Sequence, residues 1–397
     1  MQKDKKILFY LYYFVIFFST AIYTSFLNLH LNSLGVPSST IGVVNGVSRA
    51  LTLVALPYWG RFADRAPSVN IVLIIAQVSS IVLMLVFQQS RTVFMLCFML
   101  ILFTVFYNPI TSLYETIGVS SASLNGWDYS PIRMSGTLGY ALMSYLSGNV
   151  LSKNQNLIFP VFIGSMLLAT GIAVFLPTIS IRKDAGETKQ TAKGSAFSLL
   201  KDPHILSVML LLMAYAMGSA FNSTYFGIFM MELGGDYRLV GISHMLLALS
   251  ELPFHLGPGR RFLKKIGVER SLQLGISVGV LRWIIVGTCR SPVVLCLSML
   301  FNGIMLVPTI VGLVEYINQV APPHLRASAQ SGLRATFQVV GQLTATILGG
   351  PLIGLFDRLG LEGIRYLYLA LSPIFLLFVL FSVLSTKGRA PKAGEQT

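Results

Sequence analysis

The chain has 397 residues, of which 54% are hydrophobic and only 11% are charged. Soluble domains carry about 25% charged residues, so this composition excludes an ordinary soluble protein. The formal net charge of +14 does not indicate a nucleic-acid partner, because the basic residues are concentrated in loops between long apolar segments.

Twelve of these apolar segments are long enough to cross a bilayer, since a helix needs roughly 20 mainly apolar residues to span the hydrocarbon core. The predicted spans are 7–29, 38–59, 70–88, 92–118, 131–151, 157–177, 204–231, 239–257, 270–288, 292–316, 326–350 and 364–385. The first span is too long for the apolar core of a signal peptide and leads into eleven further spans, so we expect it to be retained. The sequence therefore predicts an all-α membrane protein with twelve transmembrane helices.

The basic residues between the spans predict the orientation of the chain. When the N-terminus is placed in the cytoplasm, nineteen of the 29 Lys and Arg residues fall on the cytoplasmic side, six on the opposite side and four inside spans. An excess of cytoplasmic cations of this kind sets the topology of membrane proteins. We therefore expect a multi-pass protein of a bacterial inner membrane, with both termini in the cytoplasm and basic loops that face anionic lipid.

One connection is longer and more polar than the others. Residues 182–203 read RKDAGETKQTAKGSAFSLLKDP, a composition typical of a linker. We expect this cytoplasmic linker to join two six-helix bundles, formed by residues 1–181 and 204–397.

The two halves look related to each other. Pro109 and Glu115 in the fourth span correspond to Pro308 and Glu315 in the tenth. Internal repeats are common in transporter folds, whose substrate sites lie at the interface between the repeats. The sequence therefore predicts two pseudo-symmetric bundles that arose by duplication.

Seven of the charged residues within the spans or at their edges are candidates for a functional site. They are Arg49, Glu115, Arg133, Glu251, Arg282, Glu315 and Arg334. Each such charge costs on the order of 2.5–3.5 kcal/mol at the centre of a membrane helix, so charges there mark functional sites. The pattern predicts a polar cavity through which a solute passes, and hence a membrane transporter.

The loop after the second span carries a recognisable motif. Gly60-Arg61-Phe62-Ala63-Asp64-Arg65 resembles the G-x-x-x-D-[RK] signature of the major facilitator superfamily, although the Gly-Arg-Arg that usually follows is missing. The resemblance implies that Asp64 and Arg65 act in gating, as a latch between the two halves. A carboxylate at helix ends can pair with cations and with helix N-termini across a moving seam. The alternative is an ordinary aspartate in a tight turn.

The fourth and fifth spans carry a more specific resemblance. Asn108, Glu115 and the string that begins Arg133-Met134-Ser135-Gly136 are similar to the lactose permease branch of that superfamily, which also includes phenylpropionate and nucleoside permeases. The resemblance implies that Glu115 and Arg133 bind sugar hydroxyls, that Asn108 belongs to the same site, and that Tyr140 stacks on the sugar in place of a Trp.

The side-chain chemistry of these residues also favours a substrate-binding site. A carboxylate and a guanidinium on neighbouring helices neutralise each other at rest, and they offer acceptors and a rigid donor fork to a polyhydroxyl or anionic ligand. Arg133 and Tyr140 are two turns apart on one helix face, and Gly136 and Gly139 allow close helix approach beside them. The alternative is a purely structural ion pair.

The resemblance weakens in the second half. Glu251 and Arg282 stand where the lactose permease branch has a sugar-linked Glu and a proton-linked Arg, which implies the same roles here. Asn302 and Met305, however, occupy the positions of its proton-carrying His and Glu. The ionic network of this half has therefore been rebuilt.

An ion gradient is the expected driving force, because the sequence has no nucleotide-binding motif. A buried carboxylate near an arginine can bind and release a proton near neutral pH. Glu315 is the first candidate for the proton carrier, with Arg282 or Arg334 as the cation that drives proton release, and Glu251 is the second candidate. The alternative for Glu315 is a structural pair with Arg334, and sodium coupling stays open.

Three functional hypotheses follow. The favoured one is a proton-coupled symporter for a sugar, an oligosaccharide or another small polar solute. The others are a transporter of an aromatic acid, a nucleoside or a drug, and a non-transporting membrane sensor or intramembrane enzyme. We expect a monomer without cofactor, metal or nucleic acid, since Cys97, Cys289 and Cys296 have no disulfide or metal-site spacing.

Overall fold

The computed structural model describes residues 2–178, 196–256, 258–321 and 332–387. Within these four ranges all regular secondary structure is helical. The prediction of an all-α chain is therefore confirmed.

Long helices account for most of the described chain. The first half contains α1 (Gln2–Ser33), α2 (Ser38–Arg65), α3 (Val69–Gln88), α4 (Val93–Asn125), α5 (Tyr129–Leu151) and α6 (Ile158–Val174). The second half contains α7 (Pro203–Glu232), α8 (Tyr237–Leu256), α9 (Pro258–Ile266), α10 (Val268–Thr288), α11 (Pro292–Leu297), α12 (Asn302–Val307), α13 (Leu313–Val320), α14 (Arg334–Arg358) and α15 (Gly363–Lys387). The predicted linker lies largely outside the described residues, apart from a short 3₁₀ helix at Ala196–Lys201.

In the described part of the chain, nine helices are long and apolar enough to cross a membrane. The other three predicted spans correspond to α5, to α8 and to the helical stretch 292–320. α5 is more polar than its neighbours because it carries Arg133 and a series of Ser, Thr and Gly residues. The layout agrees with twelve spans, although the number itself stays a prediction.

The stretch 292–320 is a broken helix. A 3₁₀ segment, Ser298–Phe301, separates α11 from α12, and a single π-helical turn, Pro308–Gly312, separates α12 from α13. Pro308 has no backbone N–H and cannot complete the regular α-helical hydrogen-bond pattern. Breaks of this kind are frequent at functional sites in helices.

The chain divides into two compact units. The first comprises Met1–Thr188 and Ser223–Leu249, and the second comprises Lys189–Asn222 and Ser250–Thr397. Within the first unit, α1 packs against α5 and α6, and α4 packs against α2 and α3. Within the second unit, α15 packs against α10 and α14.

The turn between α4 and α5 fixes the two helices that carry Glu115 and Arg133. Gly126 ends α4 in the left-handed region with φ 67°, a conformation that glycine adopts without steric cost. Asp128 then caps α5 by accepting a hydrogen bond from Ser130 N at 2.9 Å, a common way to satisfy a free N–H at a helix start.

Two glycines bring α5 close to α1. A Cβ atom at Gly136 would lie 2.6 Å from the Phe17 ring, and one at Gly139 would overlap the backbone oxygen of Phe14. The predicted role of these glycines in close helix approach is confirmed, because any larger residue would push the two helices apart.

Candidate functional site

The predicted ion pair of the first unit is present. Arg133 Nε lies 3.8 Å from Glu115 Oε1, and the two side chains are 41% and 43% exposed. The Arg133 guanidinium carbon also lies 4.6 Å from the centre of the Phe17 ring, within the range of a cation–π contact. The pair is held loosely and stays accessible to a ligand.

Tyr140 lies on α5 and its hydroxyl faces α1. It is within hydrogen-bond distance of Thr24 Oγ1 at 3.0 Å and of Ser25 Oγ at 3.3 Å. The hydroxyl is therefore engaged by protein groups, which orient the ring.

Tyr107, on α4, makes similar contacts with α1, to residues that precede Thr24 and Ser25. The Tyr107 hydroxyl donates to Thr20 Oγ1 at 3.2 Å and lies 3.3 Å from Ser19 Oγ. The Tyr107 ring packs against Tyr23 with centroids 4.8 Å apart. α1 thus presents a series of hydroxyls and an aromatic ring to α4 and α5.

Asn108 is the neighbour of Tyr107 on α4, but it faces α2. Its Nδ2 donates to Thr52 Oγ1 at 3.0 Å, and Thr52 Oγ1 donates to Ser48 O at 2.8 Å. Among the described residues, no hydrogen bond or ion pair joins Asn108 to Glu115 or Arg133, so its place in the same site stays a prediction.

Sequence reasoning did not identify α1 as part of the site. Its side chains Thr20, Thr24 and Ser25 are small and common in membrane helices, so their types alone are not informative. The signal that was available is spacing, because Thr20 and Thr24 are four residues apart and lie on one helix face.

The first unit also contains a polar cluster between α1, α2 and the end of α7. Arg49 Nη2 donates to Ser223 Oγ at 3.2 Å, and Asn28 Nδ2 donates to Ser223 O at 3.3 Å. Asn45 Nδ2 donates to Asn28 Oδ1 at 2.9 Å. The Ser223 hydroxyl is therefore one of the groups that hold Arg49.

Among the predicted site residues whose side chains the structure describes, Arg282 is the most deeply buried, at 2% exposed. Its Nη2 donates to Asn222 Oδ1 at 2.8 Å and contacts Met299 Sδ at 3.0 Å. Its Nε is buried without a hydrogen-bond partner. Among the carboxylates of the described residues, none lies within ion-pair distance of Arg282.

Glu251 lies on α8 in the same unit. It is half-buried and accepts a hydrogen bond from Asn302 Nδ2 at 3.2 Å. Glu251 and Arg282 are thus each held by an asparagine, Asn302 and Asn222 respectively.

The contact of α8 with the broken helix is close because of a glycine. Gly303 N donates to Ser250 Oγ at 3.0 Å, and a Cβ at Gly303 would overlap the backbone oxygen of Ser250. This contact fixes Asn302 and Glu251, which are the adjacent residues, opposite each other.

Glu315 lies in the first turn of α13. Its neighbours Leu313, Tyr316 and Ile317 are buried, whereas Glu315 is exposed, so the protein itself does not bury this carboxylate. Arg334 begins α14, and its side chain lies outside the described residues. The expected pairing of these two residues therefore stays a prediction.

Asp64 and Arg65 form the last turn of α2. Both are exposed, and nearby the Arg61 guanidinium carbon lies 5.8 Å from the centre of the Tyr58 ring. The position at a helix end agrees with the place expected for a latch, and the gating role stays a prediction.

In the described ranges of the chain, no group of three or more His, Cys, Asp and Glu side chains could hold a metal ion. The three cysteines of the chain are all free thiols.

The sequence matches the family described as "MFS_1 like family" over residues 7–360. Maltose permease from Geobacillus stearothermophilus is 24% identical, over 99% of this chain and 97% of that permease. A probable 3-phenylpropionic acid transporter of Escherichia coli (strain K12) is 24% identical, over 73% of this chain and 76% of that protein. The crystal structure of nucleoside transporter NupG superposes with a TM-score of 0.81 at 18% identity, over 97% of this chain and 99% of that one. At this identity the likeness shows the fold alone.

Proposed function

The chain belongs to the MFS_1 like family of the major facilitator superfamily, and from this premise we propose that it carries a hydroxyl-rich small solute, such as a sugar or oligosaccharide, across the membrane together with protons. Family membership makes the chain a multi-pass membrane transporter of a small-molecule substrate and not an enzyme. It also removes the non-transporting sensor from consideration.

The accessible Glu115–Arg133 pair is the observation that carries the proposal. An ion pair with N···O of 3.8 Å and more than a third of each side chain exposed is held weakly, so a ligand can replace either partner. A carboxylate accepts from hydroxyl groups, and a guanidinium donates to them in a fixed planar geometry. The Tyr140 ring, oriented by Thr24 and Ser25, adds an aromatic face.

A transporter of an organic acid or a nucleoside is the second candidate. Arg282 supports it, because a buried guanidinium whose hydrogen-bond partners are an amide and a thioether lacks the anion that usually accompanies it. Similarity to a 3-phenylpropionic acid transporter and to a nucleoside transporter supports it as well. The range of substrates named for these relatives also keeps a drug as a candidate.

Proton coupling is proposed to involve Glu251 first and Glu315 second. This order reverses the one expected from sequence, because Glu251 is half-buried and hydrogen-bonded to Asn302 whereas Glu315 is exposed. Arg282, a buried guanidinium in the same unit as Glu251, is the cation proposed to favour proton release, and Arg334 is its alternative.

The proposed setting is a bacterial inner membrane, with the protein acting as a monomer by alternating access and both termini in the cytoplasm. The bacterial relatives support this location. Cysteines introduced at 152–156 and at 185–195 test the orientation, and we expect them to be labelled from opposite sides of the membrane.

The substrate test uses purified protein in proteoliposomes with an imposed pH gradient. Uptake of radiolabelled maltose, uridine and 3-phenylpropionate is compared in the wild type and in the double variant Glu115→Gln, Arg133→Gln. We expect maltose or another sugar to accumulate against its gradient, and to lose accumulation when a protonophore is added. Accumulation of uridine or 3-phenylpropionate alone would instead support the second candidate.

The double variant separates recognition from structure. It removes both charges but keeps the hydrogen-bonding groups, so we expect a folded protein that does not take up substrate. Wild-type uptake by the double variant would show that the pair is structural only.

A further inference from the structure

A second cluster of polar side chains lies in the second unit, apart from Glu251 and Arg282. His204 Nε2 lies 3.0 Å from Glu269 Oε1, and these side chains are only 7% and 21% exposed. Thr386 Oγ1 donates to the same Glu269 oxygen at 3.2 Å. Gln273 Nε2 donates to Thr386 Oγ1 at 3.0 Å and to Ser382 Oγ at 3.1 Å.

The cluster joins the ends of three helices. His204 is the second residue of α7, Glu269 is the second residue of α10, and Thr386 is the last residue but one of α15. In the topology predicted from the basic loops, all three ends are cytoplasmic. The His204–Glu269 contact and the Thr386–Glu269 contact together join three helices at the end of the unit that faces the cytoplasm.

The electrostatic surroundings of His204 are simple. Among described residues, the titratable groups that face it are Glu269 on α10 and Tyr316 on α13, whose ring centroid lies 6.1 Å from that of the imidazole. Asp202 precedes it and uses its carboxylate to accept a hydrogen bond from His204 N at 2.9 Å. α15 contributes only the neutral hydroxyls of the cluster. The nearest groups are thus carboxylates and a phenol.

The two nitrogens of the imidazole differ in their surroundings. Nε2 faces Glu269, whereas Nδ1 is buried and has no hydrogen-bond partner. When a neutral imidazole that donates from Nε2 becomes cationic, one proton adds to Nδ1 and no other bond is formed or broken. The Nε2–H···O contact then changes from a hydrogen bond with a neutral donor to one between two charged groups, which is roughly twice as strong.

We propose that His204 and Glu269 form a second proton-binding site, separate from the transport site, which fastens the cytoplasmic ends of α7, α10 and α15 when the cytoplasm becomes acidic. Histidine suits this role because its charge changes between about pH 5 and pH 8. The direction follows from the geometry: protonation strengthens the tie and slows opening of these helix ends, and loss of the proton weakens it. A transporter that brings protons inward would thereby be slowed by its own product.

The test is hydrogen–deuterium exchange of the full-length protein in lipid nanodiscs, read by mass spectrometry and corrected for the intrinsic pH dependence of exchange. It compares the wild type, His204→Gln and Glu269→Gln at about pH 5.5 and about pH 7.5. In the wild type we expect exchange at the start of α7, the start of α10 and the end of α15 to be about fivefold slower at the acidic pH, the difference between charged and neutral hydrogen bonds.

Both variants should lose this pH dependence, since each removes one charge of the pair. His30→Gln is the matched control: His30 is equally buried, but its ring packs against Phe159 with centroids 5.3 Å apart, and no carboxylate of the described residues is paired with it. This control should keep the wild-type response.

Retention of the fivefold change in both His204→Gln and Glu269→Gln would overturn the proposal, as would an unchanged exchange rate in the wild type. If His204→Gln does not fold, Glu269→Gln decides alone. The measurement needs no substrate and is independent of the function proposed above, so failure of either proposal leaves the other unaffected.

Discussion

The two arginines that face the predicted site regions differ in their surroundings. Arg133 in the first unit is 41% exposed and has a carboxylate at 3.8 Å. Arg282 in the second unit is 2% exposed and is held by an amide and a thioether. The first arrangement costs little and exchanges partners readily. The second is expensive, because a charge is removed from solvent without a counter-charge in contact.

The difference between Arg133 and Arg282 indicates which region binds the substrate and which couples transport to protons. A loosely held, accessible pair suits a ligand that arrives and leaves in each cycle. A buried cation whose contacts are neutral is affected strongly by one added negative charge. That charge arises when Glu251 loses a proton or when the substrate carries an anionic group. The predictions below test this contrast.

The largest effect is expected at Arg282. Arg282→Met keeps a flexible apolar stem but removes the buried charge, so we expect stability to rise, because the cost of burying that charge disappears, while transport is lost. Thermal unfolding in detergent and uptake in proteoliposomes measure the two quantities. Destabilisation together with loss of transport would instead mean that the guanidinium is needed for folding.

Glu251→Gln should uncouple transport. The amide mimics a protonated carboxyl group, so exchange of substrate across the membrane should persist while uphill accumulation disappears. Counterflow and pH-driven uptake of the identified substrate separate these outcomes. Glu362→Gln is the control, because Glu362 is 62% exposed and pairs with Arg365. If uphill accumulation survives in Glu251→Gln, Glu315 becomes the candidate proton carrier, and Glu315→Gln is tested in the same way.

The fold was predictable from sequence to a greater extent than the site. Length and apolar character of the spans specify membrane helices, because lipid leaves the backbone few alternatives. The Glu115–Arg133 contact was predictable because charges in a membrane need partners. The exposure of Glu315 was not, because it depends on the rotation of α13 after the π-helical turn, and hydropathy does not report rotation. The contribution of α1 hydroxyls was missed because these side chains carry no charge.

Arg133→Lys should reduce uptake at least tenfold. An ammonium group cannot reproduce the planar pair of donors that a guanidinium offers, although it keeps the charge. Stability should change by less than about 1 kcal/mol, because the pair is exposed. Arg91→Lys, at an exposed position between α3 and α4, is the control for the same substitution away from the site. Equal uptake by wild type and Arg133→Lys would show that Arg133 contributes only its charge.

Gly139→Ala should destabilise the first unit by about 1–3 kcal/mol, the usual range for overpacking. The new methyl group would overlap the backbone oxygen of Phe14, which cannot move as a side chain can. Gly164→Ala is the matched control, since a Cβ there has no atom within 4 Å. Similar unfolding temperatures for the two variants would show that α1 and α5 can separate freely.

The smallest effect is expected at Tyr140, and it distinguishes two roles of one side chain. The resemblance to the lactose permease branch implies that the ring stacks on a sugar, whereas the structure uses the hydroxyl to contact Thr24 and Ser25. Tyr140→Phe removes the hydroxyl and keeps the ring, so we expect a loss of stability of about 0.5–1.5 kcal/mol with uptake near the wild-type rate. Thr24→Val, which removes one partner of that hydroxyl, should give a similar change in stability. If Tyr140→Phe abolishes uptake and Thr24→Val does not, the hydroxyl itself binds the substrate, and the ring is its support.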